Sequence, residues 1–263
     1  MLILLVVLLC SCRGAEEQTL YPEGGIAIIG ASFAYPENGW FEIACERLER
    51  ESINKAISGE NIIHNALRFR DKTQFTDAEM DSFATFVIMH THNINAYGEE
   101  GGELSENPTI AEAYDYVIRT YISLCRELEF NPASVWYGVA GGKPVDIVLC
   151  THWHDAREVF NTSVRLLAER WKGYARLCEF DKNIGFTKDV PDSITGKQRS
   201  IDFAHPGNGA TEIIDGVEYG WHPKRGARFG DSAANGGYFL QVLLIFNFFI
   251  YLCGSENNIG IKI

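Results

Sequence analysis

Short apolar runs alternate along this chain with longer segments whose apolar residues recur every three or four positions, and that alternation restricts the fold more than any other feature. Gly25-Ile26-Ala27-Ile28-Ile29 reads as a buried strand, and it halts at Gly30-Ala31-Ser32, which has turn chemistry. Phe41, Ala44/Cys45 and Leu48 follow at helical spacing, with Glu and Arg between them. Residues 86–89 form a second strand candidate. A long helix over 109–128 carries the stripe Ile110, Tyr114, Val117/Ile118, Tyr121, Leu124/Cys125 and Leu128. Residues 145–150 and 176–180 complete the strands, with a helix over 159–171 between them. Strands alternating with helices predict the α/β class, a three-layer α/β/α sandwich around a mostly parallel sheet. Ligands of such sheets bind at the carboxyl ends of the strands. Residues 238–253, apolar apart from Gln241 and Asn247, are expected to close the sheet layer as a helix or strand.

The first twelve residues are apolar but too few to span a bilayer, which is the pattern of an export-signal core. Leu9-Cys10-Ser11-Cys12 resembles a bacterial lipobox, with Cys12 as the lipidated residue, although no Lys or Arg precedes the apolar run. Residues 1–12 are therefore read as signal and lipobox, and residues 13–24 as a polar tether. The expected location is periplasmic or at the cell surface, as an exported lipoprotein. A buried first strand is the other reading of this segment. The formal net charge of −12 argues against nucleic acid or an anionic membrane as partner, so membrane contact is expected only through Cys12. Seven cysteines occur without a CxxC pair, which argues against a thiolate metal site. Cys45, Cys125, Cys150 and Cys178 lie inside apolar segments and are assigned to the core.

A serine becomes a useful nucleophile only when a base takes its proton and donors stabilise the oxyanion. Four short blocks offer those roles in order. Gly30-Ala31-Ser32 ends the first strand, and Asn54-Lys55-Ala56-Ile57-Ser58-Gly59 follows the first helix. His90-Thr91-His92-Asn93 comes directly after the strand at 86–89. Late in the chain stand Asp202-Phe203-Ala204-His205-Pro206, and Asp215-Gly216-Val217 followed by Gly220-Trp221-His222-Pro223.

This succession resembles the SGNH (GDSL-type) esterase superfamily, with Ala31 where that family has aspartate and an imperfect third block. The resemblance covers roughly residues 25–240. It implies a flavodoxin-like sheet and one hydrolase domain over residues 25–263. It makes Ser32 the nucleophile and forms the oxyanion hole from the Ser32 and Gly59 amides with Asn93, His92 being the register-shifted alternative. The base is His222 by chain position or His205 by motif spelling, oriented by Asp202 or Asp215. No cofactor is implied. The substrate is a small-molecule or glycan ester, carbohydrate being suggested by family and compartment analogy alone.

Two His-x-His pairs, His90/His92 and His152/His154, directly follow predicted strands, where both rings of a pair can face a cation. Thr151-His152-Trp153-His154-Asp155 begins like a metallo-β-lactamase motif, but Ala156 and Arg157 stand where that pattern needs Asp and His. A metal-dependent hydrolase is thus one rival reading, and a glycan-binding module with a degraded site is another. The blander role for His152 and His154 is to line the pocket rim. Trp153 and Trp221 are candidates for stacking on a sugar ring.

Overall fold

A strand covered on both faces must be apolar or small at nearly every position, and the two longest strands among the described residues meet that demand. They are β1 (Gly25–Gly30) and β3 (Phe83–Met89), buried along their whole length. The computed structural model describes residues 24–34, 36, 40–90, 104–152, 158–183, 212–214 and 217–219. β1 and β3 pair in parallel at the centre of a five-stranded sheet with β2 (Ser52–Asn54), β4 (Ile147–Cys150) and β5 (Ala175–Cys178). Its order is β2-β1-β3-β4-β5, all parallel, which is the flavodoxin-like arrangement. A separate antiparallel hairpin joins β6 (Glu212–Ile214) to β7 (Val217–Tyr219).

Alternate residues of each strand face opposite layers. Ile26, Ile28, Val87, Met89 and Val148 meet Phe41, Ala44 and Cys45 of α1 (Trp40–Arg47) on one face. Ala27, Ile29, Phe86, Ile88 and Leu149 meet α2 (Ile62–Arg70), α4 (Ile110–Glu127) and α5 (Glu158–Arg170) on the other. α4 is anchored by its periodic stripe, with Tyr114, Val117, Ile118, Tyr121 and Cys125 all buried. Each large apolar side chain so buried contributes about 1.5–3 kcal/mol. The Tyr121 ring lies 4.6 Å from that of Phe86, so truncation there would open the centre of this layer. All four core cysteines are buried and free, and Cys150 and Cys178 stand opposite one another on β4 and β5.

The three-layer expectation therefore holds, with differences in detail. The strand expected at 86–89 begins at Phe83, and Phe180, expected to end the last strand, instead opens α6 (Phe180–Asn183). β2, α2 and α3 (Asp77–Ser82) were not anticipated. β2 is a half-buried edge strand of three residues, too short to show an apolar run. α2 hides its inward face by placing Asn65 among Ile62, Ala66 and Phe69. α3 carries a signal that could have found it, the capping box Thr76/Glu79.

Residues 1–12, the tether apart from Gly24, and the apolar run 238–253 lie outside the described residues. Among the described residues no helix is long and apolar enough to cross a membrane.

Candidate active site

The chain leaves β1 at Gly30 and turns at once. A Cβ on Gly30 would fall 2.9 Å from Met89 O and 3.0 Å from Ala34 Cβ, so only glycine lets β1 and β3 stay paired here. Ser32–Ala34 forms a 3-10 turn, with the Ala34 N–H donating to Ala31 O at 3.0 Å. Ser32 is half-buried at the carboxyl end of the central strands. Ala31, which departs from the SGNH pattern, is buried at 1% exposure.

A tie absent from the motif reading holds this turn. Asn54 Nδ2 donates to Ala34 O at 2.6 Å and to Glu42 Oε1 at 2.5 Å, while its Oδ1 accepts from the Ala56 N–H at 2.9 Å. One carboxamide thus joins the Ser32 turn, α1 and the end of β2. The available signal was an asparagine at a strand end, a position that favours local side-chain bonds to backbone.

The second block continues beside the first. The Lys55 N–H donates to Ile28 O and the Ile57 N–H to Gly30 O, carrying the β1–β2 ladder past β2 itself. Ile57 to Glu60 then form a tight turn closed by the Glu60 N–H on Ile57 O at 3.2 Å. Gly59, at its third position, has φ +83, which is where glycine is required. A Cβ there would meet nothing within 4 Å, so the backbone angle and not crowding demands glycine. The closing bond consumes the Glu60 N–H and leaves that of Gly59 outside the turn. A groove of about 290 Å³ lined by Ala56, Ile57, Arg68 and Gln74 flanks this loop. Another groove, about 400 Å³ between Phe69, Met80, Leu124 and Phe130, lies at the carboxyl ends of α2 and α4, away from Ser32.

The third block starts from β3, whose Met89 is the register partner of Gly30. His90 follows and is buried. Its Nε2 lies 2.6 Å from Asn65 Oδ1. A carboxamide oxygen can only accept, so Nε2 carries the proton and donates. The Tyr114 hydroxyl donates to His90 O at 3.3 Å. His90 Nε2 is thereby committed within the protein. His152, at the end of β4, is buried below the edge and not on an open rim, and its N–H donates to Asn161 Oδ1 at 2.7 Å. Beside it Thr151 Oγ1 donates to Asp181 Oδ1 at 2.7 Å, and Arg165 bridges Glu179 and Asp181. Among the described residues no three His, Cys, Asp or Glu side chains are grouped to hold a metal.

The strand ends thus bring Ser32 and Gly59 to one edge on neighbouring strands. Asn93, His92, His154, Trp153, His205, His222, Trp221, Asp202 and Asp215 lie outside the described residues.

No curated protein matches the sequence. The profile of a family described as a domain of unknown function, DUF5040, matches residues 23–234. The structure is similar to a carbohydrate esterase family 2 enzyme with a carbohydrate-binding domain from Corynascus thermopiles (Myceliophthora fergusii), at 12% identity and TM-score 0.41, over 87% of this chain and 67% of that one. It is also similar to a carbohydrate esterase whose active site has divergent catalytic and non-catalytic binding functions, at 14% identity and TM-score 0.38, over 90% and 70%. A protein of Desulfitobacterium hafniense DCB-2 assigned to the G-D-S-L lipolytic family is similar at 13% identity and TM-score 0.32, over 84% and 99%. At these TM-scores the likenesses carry nothing about the chain's chemistry, which rests on its own residues.

Proposed function

We propose that this chain, which belongs to the DUF5040 family of domains of unknown function, is an SGNH-type serine ester hydrolase with Ser32 as nucleophile. One observation carries the reading. The turn of the first block, the loop of the second and the strand end leading into the third are bonded to one another at the carboxyl edge of a flavodoxin-like sheet, where such folds act.

In this reading Ser32 Oγ attacks the acyl carbon while a late histidine, His222 or His205, takes its proton with Asp202 or Asp215 as orienter. The Ser32 and Gly59 amides and Asn93 receive the negative charge that develops on the carbonyl oxygen. The histidine returns the proton to the departing alcohol, and water then releases the acid from Ser32. Ala31 is compatible with this chemistry because its side chain is buried and the turn is held instead by Asn54. The substrate class is a small-molecule or glycan ester, and Cys12 is the anchor of an exported protein.

The test is hydrolysis of 4-nitrophenyl acetate and labelling by a fluorophosphonate probe, for the full chain, Ser32→Ala and a chelator-treated sample. Ser32→Ala is expected to abolish labelling and lower kcat by about a thousandfold or more. Activity lost to the chelator and untouched by Ser32→Ala would overturn the serine reading in favour of a metal-dependent hydrolase. Neither labelling nor hydrolysis under any condition would favour a glycan-binding module. His205→Ala and His222→Ala, read separately, assign the base.

A further inference from the structure

Under the edge that carries Ser32 and Gly59, five side chains form a continuous run of hydrogen bonds. Arg68 holds Glu60 through both terminal guanidinium nitrogens, Nη1 to Oε1 at 2.9 Å and Nη2 to Oε2. Arg68 Nε donates to Gln74 Oε1 at 3.2 Å, and Asn65 Nδ2 donates to the same oxygen at 3.0 Å. Asn65 Oδ1 accepts from His90 Nε2. Asn65, Gln74 and His90 are 0%, 4% and 2% exposed. Taking such groups out of water is costly unless each finds a partner, and along this run each does. Hydrophobic side chains would pack the space without that requirement, as α2 already does at Ile62, Ala66 and Phe69.

What distinguishes the run is where it ends. Glu60 directly follows Gly59 and supplies the N–H that closes its turn. His90 directly follows Met89, the partner of Gly30, and its carbonyl is held by Tyr114. β2 and β3 flank β1 in the sheet. The run therefore links the chain segments on either side of the strand that delivers Ser32. Hydrogen bonds are directional, so a closed run of them fixes separation and angle in a way that apolar packing does not. The Arg68 guanidinium bonded to Glu60 holds that carboxyl below its ordinary pKa, which keeps the outer end of the run charged and bidentate at neutral pH.

We propose that Glu60, Arg68, Gln74, Asn65 and His90 are positioning residues that set the distance between the Gly59 loop and the end of β3, and so the geometry of the oxyanion donors around Ser32. The inference rests on the ester hydrolase reading above. None of the five touches the reacting atoms; they act through Gly59 and through the end of β3. Displacements of about 1 Å are enough to lower a rate by about a hundredfold.

Arg68 is the place to cut, because it is partly exposed and its loss leaves the apolar core intact. Arg68→Met is expected to lower kcat for 4-nitrophenyl acetate by about tenfold to a hundredfold, with KM within about twofold and the fluorophosphonate labelling rate falling in parallel. Arg68→Lys should recover part of kcat, since it can still bond Glu60 but not Gln74 at once. Gln74→Met, which breaks the run at its middle, should give the same kcat-specific loss in the fraction that circular dichroism reports as folded. Unchanged kcat in Arg68→Met and Gln74→Met, while Ser32→Ala is inactive, overturns the positioning role and leaves the hydrolase reading standing. Loss of activity only in proportion to loss of folded protein overturns it as well. A wild-type chain that neither hydrolyses nor labels overturns the hydrolase reading and this inference with it.

Discussion

Both ends of the sheet bury polar groups, but they do so in different ways. At the amino end Lys143 is 2% exposed, with its Nζ 3.6 Å from the centroid of the Phe83 ring and 5.7 Å from that of Tyr121, donating to Met80 O at 2.6 Å. Burial pushes this amine down from 10.5 to about 8. Its neighbours are ring faces, whose attraction for a cation is only loosely directional. At the carboxyl end, beneath Ser32, buried amides and an imidazole are joined donor to acceptor across separate segments. One end tolerates a desolvated charge within a single packed junction; the other uses bonds that define angles between separate loops. Polar burial at the amino end therefore bears on stability, and at the carboxyl end on placement.

That contrast predicts opposite behaviour of variants at the two ends. The largest expected effect is on the pH dependence of stability. Lys143 has a folded pKa below its unfolded one, so between about pH 8 and 10.5 the unfolded chain binds more protons and stability gained through this group rises with pH. Below pH 8 its contribution is flat. The raised pKa values of the buried thiols Cys45 and Cys178 oppose it, because they keep protons that the unfolded chain loses. Urea unfolding of wild type and Lys143→Met across that window isolates the lysine: the wild-type advantage over the variant should grow by up to about 3 kcal/mol, with ester hydrolysis at pH 7 unchanged. A constant difference across the window would show that the amine is not desolvated.

Gly30→Ala comes next. It drives a methyl against Met89 O and Ala34, with a destabilisation of about 1–3 kcal/mol and loss of fluorophosphonate labelling, since the strain falls on the turn of Ser32 itself. Labelling retained at full rate in the folded fraction would mean that the turn is not where the reaction occurs. The smallest effect on stability is that of Asn54→Ala, about 1 kcal/mol for lost hydrogen bonds at a half-buried site. Its kcat is nevertheless expected to fall about tenfold or more, because Ala34 O and the Ser32 turn lose their tie to β2. Equal losses in stability and activity there would erase the distinction between the two ends.

How far the sequence discloses these arrangements depends on which force made each part. β1, β3 and β4 show themselves because strands buried on both faces have to be apolar runs, whereas β5, at the far edge, buries only Cys178 and carries Arg176. Ser32 and Gly59 show themselves because a nucleophile turn and a positive-φ turn each restrict the residues that fit. β2 leaves no run because it lies at the edge, and α2 breaks its own stripe with Asn65. The same asparagine explains why the hydrogen-bonded run stayed hidden. His90 and Asn65 are 25 positions apart, and no periodicity connects a donor with an acceptor that only folding brings together. Its spacing to His92 makes His90 resemble half of a cation-binding pair, whereas its Nε2 proton goes to Asn65.

The facing pair Cys150 and Cys178 turns the folding of this sheet into a matter of timing. Exchange between thiols and disulfides requires a thiolate, and burial holds Cys178 well above its ordinary pKa and pushes Cys45 up to about 12. Once β4 and β5 have paired, burial holds Cys178 in its protonated form and slows its exchange. An oxidising compartment reaches the pair most readily while the chain is still open, so whether the finished molecule carries thiols or a cross-link is decided by which finishes first, sheet closure or the oxidant.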